Sequence, residues 1–172
     1  MSRLERAADA AQILSAIVVV VSVTIAVLAY LNEAEKQRRE YTMELALQFF
    51  SGDLQEHKNH LFDTIRSIQD EVKPARLGGA DIGTYLVKSD RFSSLADRDL
   101  NAALLGIASY FNAAQRCVQT GICDEMLMRQ LVSEDATAIG CAFRDYLGLL
   151  SDASNVESLT RGINYFDDGT CA

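Results

Sequence analysis

Hydrophobic and polar positions fall into three patterns along this chain. From Ile13 to Leu31 nineteen residues pass without a charge, and twelve of them are Ile, Leu or Val. At about 1.5 Å rise per residue, such a run matches a hydrocarbon layer of ~30 Å. Its aliphatic side chains together favour a bilayer by roughly 4 to 7 kcal/mol. A cleaved signal peptide would have a shorter apolar core and an Ala-x-Ala-like site, and none follows before Asn32. The pattern predicts a short N-terminal tail over 1–12 and a single transmembrane helix over 13–31.

The second pattern is a seam. Met43, Leu47, Phe50, Leu54, Leu61, Ile65, Ile68 and Val72 recur at steps of four and three, with Lys58 as the polar interruption. It predicts a juxtamembrane helical stalk over 32–73, broken near 51–53 where Ser51-Gly52-Asp53 combines a glycine with a capping residue. Such a seam serves either core-facing helices or an intermolecular coiled coil. Pro74 ends it, and the glycines at 78, 79 and 83 predict an irregular loop over 74–96.

The third pattern fills 97–166, which is expected to form a helical hairpin plus a short terminal helix. Leu100, Ala103, Leu104, Ile107, Phe111, Ala114 and Val118 mark one helix face, and Gly121 supplies a stop. Asp124 and Glu125 favour a new start, and Met128, Val132, Ala136, Ile139, Phe143, Tyr146 and Leu150 mark the return arm. Ala102 with Gly106, and Ala136 with Gly140, would let the two arms approach closely. Ser154 and Glu157 suggest a capping box opening the terminal helix, and the tail over 167–172 is expected to fray. The fold class is therefore all-α: one N-terminal transmembrane helix, then a small helical bundle containing an antiparallel hairpin.

Charge narrows the partners. The chain carries a formal net charge of −8, and its one dense basic cluster, Lys36, Arg38 and Arg39, is interleaved with glutamates. That excludes sequence-independent nucleic-acid binding, which needs clustered cations, and makes the cluster a juxtamembrane anchor to the lipid bilayer. Arg3 and Arg6 on the other side nearly balance it. The short tail, which also carries Glu5 and Asp9, tilts the expectation to a cytoplasmic C-terminal domain at a bacterial inner membrane. Cys117, Cys123, Cys141 and Cys171 bear on the same choice, being thiols in a cytoplasmic domain and two disulfides in an oxidising compartment.

Candidate chemistry is sparse. Asp53, His57, His60 and Thr64 could share one helix face as metal ligands, but the stretch around them is polar enough to be a solvated surface. No spacing of the cysteines wraps a zinc ion, and no phosphate-binding loop, dinucleotide fingerprint or nucleophile elbow is present. We therefore expect no catalytic, cofactor-binding or metal residues, no cofactor, and no enzyme.

Two stretches carry a family likeness. One is Ala46-Leu47-Gln48-Phe49-Phe50-Ser51-Gly52-Asp53-Leu54; the other is Tyr110-Phe111-Asn112 followed by Gly121-Ile122-Cys123-Asp124-Glu125. In these the sequence resembles a family of uncharacterised bacterial membrane-anchored helical proteins, with Asn112, Gly121, Asp124 and Glu125 at its hairpin motif. The resemblance implies a cytoplasmic helical domain on a tether and no chemistry. The function expected is a membrane-tethered interaction module that docks a protein partner or itself, with Ser15, Ser22 and Ala29 as a candidate self-association face in the span. The rival expectation is a sensor domain that binds a small ligand and signals through the span.

Overall fold

The computed structural model describes residues 3–71, 79–89, 95, 97–154 and 159–170. Among them the chain forms six helices and no strand: α1 (Arg3–Phe49), α2 (Gly52–Glu71), α3 (Gly79–Lys88), α4 (Arg98–Gln119), α5 (Glu125–Ser154) and α6 (Arg161–Phe166). It divides into two compact units, Met1–Arg38 and Arg39–Ala172. Val72, Pro74, Glu157 and Cys171, which figure in the sequence pattern, lie outside the described residues.

The first unit is helical and apolar. Its Ile, Leu and Val side chains from Leu14 to Leu31 are all exposed. Among the described residues α1 is the one helix long and apolar enough to cross a membrane, with a window of mean hydropathy 2.6. The polar residues in it satisfy themselves locally. Ser22 Oγ donates to Val18 O at 2.8 Å and Thr24 Oγ1 to Val20 O at 2.9 Å, so neither hydroxyl is left unpaired in an apolar setting.

In the second unit the core runs from Phe49 through α2, α4 and α5 to Phe166. The seam changes phase at the break. On α1 the buried positions are Thr42, Ala46 and Phe49, while Met43, Leu47 and Phe50 are exposed. Gly52, at φ +59°, takes a left-handed conformation that resets the helix, so the seam becomes core only on α2, at Leu61 and Ile68. Lys58 keeps its seam position because its ammonium reaches Asp135 of α5 at 3.3 Å and lies over the Phe49 and Phe50 rings, 5.1 and 4.6 Å from their centroids.

Three further expectations are corrected. Gly79–Lys88 is helix α3 inside the stretch expected to be loop. It buries Ile82 and Leu86, four apart, and Gly83 allows a close approach to the Ala142 carbonyl of α5. The small residues serve other neighbours than the opposing hairpin arm: Gly106 receives the His57 ring of α2, and Gly140 faces Ile163 of α6. Finally, Ser154 closes α5 instead of opening the terminal helix; its hydroxyl donates back to Leu150 O at 2.6 Å, and α6 begins at Arg161.

The hairpin turn is tightly built. Asp97 caps α4 by accepting from Leu100 N at 3.0 Å. Gly121, at φ +73°, turns the chain so that the backbone N–H groups of Ile122 and Cys123 both reach Cys117 O at 3.1 Å. A Cys117–Cys123 disulfide closes that turn. Asp124 then caps α5, accepting from Leu127 N at 3.0 Å.

Candidate functional site

Lys58 of α2 and Asp135 of α5 form an ion pair at 3.3 Å, and beyond that pair a groove of about 460 Å³ opens. Its α2 wall is Phe62, Ile65 and Gln69, and α3 contributes Ile82. The α5 wall is made of short side chains: Ser133, Thr137, Ala138, Cys141 and Ala142, with Glu134 at the edge. Small residues on one helix facing large ones on another leave a gap that no local side chain reaches across. The volume lies within the range of small-molecule sites, about 300–1,000 Å³.

The C-terminal segment forms the last side through Asp168 and Thr170. The described part of this segment is anchored, contrary to the expected frayed tail. Thr137 Oγ1 donates to Asp168 Oδ1 and accepts from Asp168 N, both at 3.2 Å. Thr170 donates to the same carboxylate oxygen through its N–H at 2.9 Å and its hydroxyl at 2.6 Å. These hydrogen bonds, those from Thr170 foremost, hold the Asp168 carboxyl below the usual carboxylate range. Arg144 Nη2 binds Asp167 Oδ2 at 2.6 Å. Cys141 is disulfide-bonded as well.

The hairpin-motif residues hold helices together away from this groove. Asn112 Oδ1 accepts from Gly162 N at 2.8 Å. Gly162 packs so closely on the Phe111–Asn112 backbone that any Cβ there would collide with it. Asp124 N–H donates to Thr42 Oγ1 at 2.8 Å, and the Asp124 carboxylate lies 3.7 Å from Arg39. Glu125 accepts from Arg129 Nε at 3.0 Å and from Tyr165 Oη at 2.9 Å, which lowers its pKa. Of the proposed anchor residues, Lys36 and Arg38 belong to the first unit, whereas Arg39 is engaged in this second-unit contact.

His57 packs on Gly106 and His60 is exposed. Among the described residues no three His, Cys, Asp or Glu side chains converge as metal ligands. A polar cluster that the sequence pattern did not reveal lies beside Lys58. Tyr110 stacks on Phe49 at 4.7 Å, its hydroxyl is buried without a hydrogen-bond partner, and burial together with the Asp135 charge pushes its pKa up. The sign available in the sequence was Lys58 itself, a cation on an otherwise apolar face.

The model of a family described as a domain of unknown function, DUF4760, matches residues 16–157. The chain belongs to the DUF4760 family. Comparison with curated proteins and with solved structures found no match. The match begins within the apolar run and ends just after α5, so it spans all three groove-forming helices, α2, α3 and α5.

Proposed function

We propose that this DUF4760 protein is a membrane-anchored sensor whose helical domain faces an oxidising compartment and binds a small, largely apolar ligand. The observation that carries the reading is the groove between α2, α3 and α5, with Phe62, Ile65, Ile82, Ala138 and Ala142 presenting apolar surface and few polar groups at its edge. The disulfides supply the compartment: such bonds persist where thiols are not kept reduced. This is the opposite of the cytoplasmic orientation expected from the short tail with Glu5 and Asp9, and the flanking cations are too evenly matched to oppose it.

The groove is tested by filling it. Ala138→Trp places an indole in the space, and a fragment library is screened by thermal shift against both proteins in lipid nanodiscs. A ligand at a hundred times its Kd stabilises by about 2.7 kcal/mol, so compounds are expected to raise the midpoint of the parent protein and not of the variant. A library that stabilises neither, or both alike, argues against the site.

A second reading, an interaction module docking a protein partner or a second copy, is favoured by a different observation. Met43, Leu47 and Phe50 form an exposed apolar strip on α1, and Ile122 and Met126 are exposed beside Asp124. Photocrosslinking from position 47 in native membranes distinguishes it, because a strip that only meets solvent yields no discrete adduct.

A further inference from the structure

We propose that the groove selects a ligand with a cationic head on an apolar body, an inference that rests on the groove being a small-ligand site. Its floor is hydrocarbon, from Phe62, Ile65, Ile82 and Ala142, while the charged residues among its described lining, Glu134 and Asp168, are acidic. Four cations of the helices around it are already matched: Lys58 with Asp135 at 3.3 Å, Arg66 with Asp63 at 3.0 Å, Arg129 with Glu125 at 3.0 Å and Arg144 with Asp167 at 2.6 Å. Among the described residues Glu134 has no ion-pair partner, and Asp168 accepts only from Thr137 and Thr170.

An ammonium group entering beside Glu134 or Asp168 meets a carboxylate, and none of the described residues that line the groove is a cation it would displace. A carboxylate or phosphate head at the same place meets two like charges on a chain of net charge −8, so complementarity discriminates by charge as well as by shape. The apolar floor separates this class from inorganic cations and from polyamines. An inorganic cation has no hydrocarbon to bury and a polyamine would carry a second charge onto the apolar floor, whereas covering an apolar body contributes about 25 cal/mol per Å². The rim carboxylates are exposed, so the head remains partly hydrated and the preference is moderate, about tenfold in affinity, and weakens with salt.

The test titrates the full-length protein in nanodiscs of zwitterionic lipid, by calorimetry, with three probes of one shape: phenylbutylamine, phenylbutanol and phenylbutyrate. Heats from empty nanodiscs are subtracted. The amine is expected to bind about tenfold tighter than the carboxylate, with the alcohol between. Glu134→Gln alone is expected to narrow that gap, and Glu134→Gln with Asp168→Asn to close it; the single variant leaves the Thr137 and Thr170 bonds of Asp168 intact should the double variant misfold. Equal binding of the three probes, or a preference that survives Glu134→Gln unchanged, overturns the cationic class and leaves the groove as a ligand site. Binding of none of them overturns both.

Discussion

Asn112 and Gly162 show how much rests on single atoms in a small helical domain. The Asn112 side chain supplies the acceptor for Gly162 N–H at the start of a six-residue helix, and Gly162 has no room for a Cβ against the Phe111–Asn112 backbone. Asn112→Ala leaves a part-buried donor unpaired and is expected to cost about 1–3 kcal/mol in urea unfolding followed by circular dichroism. A cost below about half a kcal/mol would mean that water replaces the amide. Tyr146 is held in the opposite fashion, by keeping its proton. It donates to Asn101 Oδ1 at 2.8 Å, and burial, aided by the Asp97 charge, pushes its pKa up to about 12. A folded-state pKa above the ordinary value of 10.0 favours the neutral phenol, so its contribution is complete below that pH and drains away as pH rises toward about 12. Stability should therefore fall through that window, and Tyr146→Phe should flatten the fall while lowering stability at neutral pH. An unchanged alkaline profile in the variant would assign the effect elsewhere, Tyr110 being the other phenol raised by burial.

At the scale of elements, the chain's own pattern was enough for the helices with long, periodic apolar faces and for the turn that joins α4 to α5. The positions marking α4 and α5 are buried along both helices, and Asp124 caps α5 from the place its sequence context suggested. What was illegible has physical causes. The seam across 43–54 kept one period through Ser51-Gly52, and only the backbone conformation of Gly52 shows that the phase restarts there. Helix α3 was hidden because glycine is a poor helix former; Gly83 is kept for the room it leaves against Ala142. The groove itself was invisible, since small residues on α5 read equally as close packing. Asp124 is the element-scale test: it caps α5, its N–H meets Thr42 of α1, and its carboxylate faces Arg39. Asp124→Ala should cost about 0.5–2 kcal/mol from the cap, and Asp124→Asn, which still caps, should recover most of it. If Asn does no better than Ala, the Arg39 pair and not the cap dominates.

At the scale of the whole molecule the cysteines offer the test of topology, because disulfides persist in an oxidising compartment and thiols in a reducing one. The short Cys117–Cys123 loop, six residues in separation, removes little chain entropy from the unfolded state, roughly 2 kcal/mol. Cys141, on the α5 wall of the groove, is disulfide-bonded as well. A domain that relies on both should be less stable when made in a reducing cytosol than when exported. The expected outcome in intact cells is that a membrane-impermeant maleimide labels no cysteine until a reductant is added, and labels them afterwards without lysis. Cys117→Ser with Cys123→Ser should lower stability by roughly 2 kcal/mol in the exported protein and change nothing in a chain kept reduced. Should labelling instead require lysis and no reductant, the thiols are free and cytoplasmic, and the reading of the groove as an externally facing sensor site loses its compartment. The acidic surface is compatible with either side, because the flanking cations that orient a span are nearly balanced here. The redox state of four sulfur atoms therefore carries more information about topology than the sixteen Lys and Arg side chains of the whole chain.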